Sequence, residues 1–136
     1  MFKSAHAKVA AFRKTRGRQS NDDFLREVGA SNDAHASHVA LAVRRAVATA
    51  GLVDPLYIRA DDRADNDLAV LPLWDSMDWV ELVMNIEDEL GVTITDEDAM
   101  SIRVNHFSVR SCIEDVTAIL QRTGHNGDGP CPSIMT

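Results

Sequence analysis

Ser76 stands in the stretch Trp74-Asp75-Ser76-Met77-Asp78, directly ahead of an apolar-periodic run. Asp75 and Ser76 offer side-chain oxygens where a helix would begin, which is the chemistry of an N-cap. The position has a second chemical use. Free backbone N–H groups and the positive end of a helix dipole favour an anion, so a phosphodiester on the Ser76 hydroxyl would sit well there. Taken alone, an Asp-Ser pair before an apolar helix is most often a cap and nothing more. Nucleophilic catalysis by the serine is disfavoured. No nucleophile-elbow glycine pattern surrounds it, and Asp75 and Asp78 read better as cap and surface charge than as a base.

The element that must position this serine is a helix. Leu82, Val83, Ile86 and Leu90 recur at helical spacing and form an inward stripe. Met77, Val80, Glu81, Met84, Glu87 and Asp88 share another face, which mixes carboxylates with a few apolar side chains. Gly91 follows the last periodic residue and should stop the helix. Thr95, with Asp98 three residues on, marks the start of a second, short helix.

Asp75-Ser76-Met77-Asp78, Val80-Glu81-Leu82-Val83-Met84, the acidic run Glu87-Asp88-Glu89 and then Ile94-Thr95-Asp96-Glu97-Asp98 together resemble the acyl carrier protein family, whose motif is Asp-Ser-Leu followed by a similar helix. The resemblance is dense over residues 74–98 and looser over 36–122. It implies an all-α fold, a small antiparallel bundle of three main helices and one short one. It implies a 4′-phosphopantetheine arm on Ser76, flanked by Asp75 and Met77, with acyl groups held as thioesters on its terminal thiol. Val80, Glu81, Met84, Glu87 and Asp88 would form the docking face, with Glu81 and Asp88 meeting Arg or Lys of partners. Those partners would be a phosphopantetheinyl transferase and acyl-transferring or acyl-modifying enzymes of fatty acid or related acyl biosynthesis. The chain departs from the family pattern in Pro72-Leu73-Trp74 before the motif, in Met77 for leucine and in Trp79. Trp74 and Trp79 bracket the serine, either as packing residues or as an aromatic docking surface for a dedicated partner.

The charge distribution fits protein partners. Net charge is −7, yet residues 1–30 hold seven basic and three acidic side chains, while residues 31–136 hold seven basic and eighteen acidic ones. Between Asp61 and Asp98 thirteen carboxylates face one arginine, Arg63. Such a surface repels nucleic acid and attracts basic protein patches, although an acidic face can also serve solubility alone. Cys112 lies on an apolar stripe and reads as a buried small hydrophobe, and Cys131 lies in a polar tail. No CxxC spacing or third ligand accompanies His35 and His38, so no metal site is expected. Asp61 to Asp67 does not supply the glycine and glutamate of an EF-hand. No apolar run is long enough for a membrane span, and a monomer in a reduced cytoplasmic compartment is the default.

Along the chain, residues 1–19 are basic without Asp or Glu. They read as a disordered arm, with a targeting segment or a fold-back onto the chain's own acidic helix as alternatives. Residues 20–30 form a short helix capped by Ser20 or Asn21 and ended by Gly29. The carrier-like domain spans residues 31–122. Its first helix is capped at Ser31-Asn32-Asp33, striped by Val39, Val43, Ala46, Val47 and Ala50, and closed by Gly51. Residues 52–74 form a long connection whose aliphatic residues, Leu52 to Leu73, can pack on the bundle. A short helix over 96–102 and a turn over 103–107 follow. Ser108 caps the last helix, striped by Val109, Cys112, Ile113, Val116, Ile119 and Leu120, and residues 123–136 read as a disordered tail. Two functional alternatives remain: an unmodified interaction or regulatory domain with Ser76 as a cap only, and a carrier of aminoacyl or peptidyl groups.

Overall fold

The helix Ala34–Gly51 carries only two charged side chains, Arg44 and Arg45, in eighteen residues. A helix so poor in charge must be covered on more than one side. The computed structural model describes residues 5–63, 67–68, 79–104 and 108–124. Among them are six α-helices: α1 (Ala5–Lys14), α2 (Asn21–Val28), α3 (Ala34–Gly51), α4 (Trp79–Leu90), α5 (Asp96–Val104) and α6 (Val109–Arg122), with a 3-10 turn at Pro55–Tyr57. The fold is an all-α bundle centred on α3, which packs against α4, α6, α2 and the 3-10 turn.

Local chemistry explains most helix ends. Ser20 accepts a hydrogen bond from the Asp23 N–H and caps α2, and Gly29 closes it in the left-handed region at φ 77°. Asp33 accepts from the N–H groups of His35 and Ala36 at the start of α3. Thr95 accepts from the Asp98 N–H at 3.2 Å and starts α5. Ser108 and Ser111 form a reciprocal capping box at α6. The stripe Val39, Val43, Ala46, Val47 and Ala50 of α3 is buried, as is Val109, Cys112, Ile113, Val116, Ile119 and Leu120 of α6.

Four details differ from the sequence expectations. Residues 5–14, expected within a disordered arm, are helical. Alanine-rich sequence favours that helix, Arg13 and Lys14 suit its negative end, and Phe12 drives it into the core at 4% exposure. Gly51 does not close α3. It is the last helical residue, and Leu52 takes the left-handed turn at φ 59°, with its side chain exposed, so that Val53 reaches the core. α5 runs on through Val104 rather than stopping at 102, and residues 105–107 of the expected turn lie outside the described residues. α3 also buries a second stripe, Ala40, Arg44, Ala48 and Gly51, in addition to the one its valines mark.

The long connection after α3 packs as its aliphatic content requires. Val53, Ile58, Ala60 and Leu68 are buried, whereas Val70, Leu71 and Leu73 lie outside the described residues. Its carboxylates organise the loop itself. Asp54 caps the 3-10 turn, Asp62 accepts the Arg59 N–H at 2.8 Å, and Asp67 accepts the Arg63 N–H at 3.1 Å. Asp61 pairs with Arg110 of α6 at 3.0 Å. The N–H groups of Val109 and Arg110 donate to the backbone carbonyls of Asp62 and Ala60, which fixes the start of α6 to the loop. Of the C-terminal tail only Thr123 and Gly124 are described.

Candidate functional site

The inner and outer faces of α4 divide as its periodicity requires. Leu82, Val83 and Ile86 are buried and Leu90 is half-buried, so this stripe holds the helix against the bundle. On the outer side Val80 is 58% and Met84 is 53% exposed, and Glu81 and Asp88 are exposed with them. Val80, Met84 and Asp88 follow one another at i, i+4 and i+8 and therefore share one face. Two apolar side chains among carboxylates make a small mixed patch suited to brief protein contacts.

The three carboxylates Glu87, Asp88 and Glu89 stand at the end of α4, with no basic residue in its last turn. That placement is unfavourable to the helix dipole. Two of the three are compensated. Glu87 is half-buried and accepts the Ile94 N–H at 2.6 Å, tying the helix to the segment that leads into α5. Glu89 meets Arg45 of α3 at 2.7 Å. Glu87 therefore has a structural duty that the periodicity of α4 did not reveal, and Asp88 is the carboxylate of this run with open exposure. Gly91 ends α4 at φ 67°, as expected, donating its N–H to the Glu87 carbonyl at 2.7 Å.

Ser76, Asp75, Met77 and Trp74 lie outside the described residues. Trp79 opens the described part of α4, three positions after Ser76. Among the described residues the first turn of α4, from Trp79, holds Glu81 and no cation, so a phosphate near it would rely on backbone N–H groups and the dipole. A group of that kind fits the chemistry of a helix start. Met100, half exposed on α5, is a further apolar side chain on the surface that the sequence reading did not single out. A helix of nine residues offers too few turns for its outer face to be read from spacing.

Cys112 is fully buried and burial pushes its thiol pKa up, so it is an inert core residue. Among the described residues no group of three or more His, Cys, Asp or Glu could hold a metal ion, and no helix is long and apolar enough to cross a membrane.

No protein-family model matches the chain, and no solved structure matches it. A relative does. The chain is 35% identical over 72 residues to the acyl carrier protein of Bdellovibrio bacteriovorus, an alignment covering 53% of this chain and 77% of that protein. The helical fold and this relationship agree with the motif resemblance around Ser76. The chain belongs to the acyl carrier protein family.

Proposed function

We propose that the protein carries acyl groups as thioesters on a 4′-phosphopantetheine arm attached to Ser76, and that residues 31–122 form the carrier domain. The observation that carries this reading is the triplet Asp75-Ser76-Met77 at the approach to α4, a helix with a buried inner stripe and an exposed Val-Met-carboxylate face, in a chain of this family. When bound, the arm supplies a flexible thiol. The chain's own residues do the rest. The start of α4 favours a phosphate, Val80 and Met84 offer apolar contact, and Glu81 and Asp88 meet basic groups of the phosphopantetheinyl transferase and of acyl-handling enzymes. The protein acts as a carrier and leaves the chemistry to those partners, in fatty acid or related acyl biosynthesis. Asp75 and Met77 flank the attachment point. We assign Trp74 and Trp79, which bracket Ser76 in sequence, to contacts with partners.

Incubation with coenzyme A and a phosphopantetheinyl transferase, followed by intact mass, tests this. One phosphopantetheine adduct on the wild type and none on Ser76→Ala supports the reading. An unmodified wild type favours an interaction domain in which Ser76 only caps a helix.

A further inference from the structure

Among the described residues the buried charged side chains are Arg44 and Asp62. Neither lies on α4, and both grip the same stretch of chain. Arg44 donates from Nε to the Ile58 carbonyl at 3.0 Å and from Nη2 to the carbonyls of Leu56 at 3.3 Å and Gln19 at 3.0 Å. Its Nη1 donates to Asn21 Oδ1 at 2.8 Å. Asp62 accepts from Arg16 Nη1 at 2.7 Å, and the same nitrogen donates to the Tyr57 carbonyl at 2.9 Å. Arg16 also lies over the Phe12 ring, 4.1 Å from its centroid.

Gln19 N–H donates to the Leu56 carbonyl at 2.8 Å, Arg59 donates to the Gly17 carbonyl, and Arg18 approaches Asp54 at 3.8 Å. Residues 16–19 thus run alongside the loop 54–62, each making a hydrogen bond or ion pair with it, while Asn21 meets Arg44. An arm present only for solubility would leave its arginines in water. Arg16 instead points inward, with its side chain 19% exposed.

We propose that residues 12–24 are a strap that locks the loop 54–62 onto α3, with Arg44 as the inner lock and the Arg16–Asp62 pair as the outer one. The N-terminal extension is then a working part of the fold. The loop it holds precedes Ser76 in sequence. The inference does not depend on whether Ser76 is modified.

Hydrogen exchange by mass spectrometry on the full chain tests it. Arg16→Met removes the outer lock but keeps an apolar stem against Phe12. Exchange of the amides of Tyr57, Ile58 and Asp62 should rise about tenfold, while the amides of Leu82–Leu90 and Cys112–Leu120 stay within about twofold. Asp62→Asn should give the same local pattern. Arg44→Lys, which keeps the charge but loses the planar fork, should loosen residues 56–58. Unchanged protection over 56–62 in Arg16→Met and Asp62→Asn would overturn the proposal. So would an equal rise across α4 and α6, which would mean a general loss of stability.

Discussion

Arg44 of α3 lies over the ring of Phe24 of α2, its guanidinium carbon 4.3 Å from the ring centroid, with both side chains fully buried. Burial, and next the nearby Arg59 charge, pull the Arg44 pKa down to about 10, so it is still a cation at neutral pH. A buried cation needs partners for its donors, and here three carbonyls and an amide oxygen accept from all three guanidinium nitrogens while the aromatic ring covers its face. The contact joins the N-terminal extension to the carrier bundle in one core.

Phe24→Ala should therefore cost about 3–5 kcal/mol in urea unfolding, as for a fully buried phenylalanine of a single core. A loss under about 1 kcal/mol would mean that α2 is a peripheral attachment.

Leu52→Gly should stabilise the protein by about 1 kcal/mol. Leu52 holds a left-handed φ of 59° while its side chain is exposed, so glycine relieves strain and gives up little packing. A higher midpoint of thermal unfolding is the expected readout, and a clear decrease would show that the leucine side chain matters more than its backbone.

The bundle was readable from the chain because its caps and stripes are local. Ser20, Thr95 and Ser108 each bond a backbone N–H three residues on, and the stripes of α4 and α6 repeat within single helices. What escaped depends on residues distant in sequence. Phe12 is the buried anchor of α1 with Val9 partly buried beside it, and two such residues in a basic arm make no repeating stripe. Arg44 bonds partners 12 to 25 residues away, so its burial has no local signature. One clue was available: α3 lacks acidic residues and lysine altogether, which signals cover on two sides. Glu87 carries the same lesson in the candidate site. Its spacing put it on the outer face with Met84 and Asp88, and its partner Ile94 lies beyond the helix end.

The carboxylates of α4 should separate by function. Glu87→Ala removes the acceptor of the Ile94 N–H and should lower stability by about 1–3 kcal/mol. Glu81→Lys with Asp88→Lys should leave helical circular dichroism intact and weaken binding to a basic partner enzyme at low salt. Undiminished binding by that double variant would show that the exposed face of α4 is not the docking surface.

Cys112 should resist alkylation in the native protein at pH 8 and react readily in denaturant, because burial raises its thiol pKa and closes access. Peptide mapping after iodoacetamide treatment reads this directly. Rapid native labelling would show that α6 opens often.

The most direct measurement is the intact mass of the protein purified from its own cells, followed by fragmentation to locate any adduct. The account predicts a phosphopantetheine adduct on Ser76, in part with an acyl group attached, and its absence from Ser76→Ala expressed in the same cells. An unmodified wild-type mass, or an adduct on another residue, would contradict it.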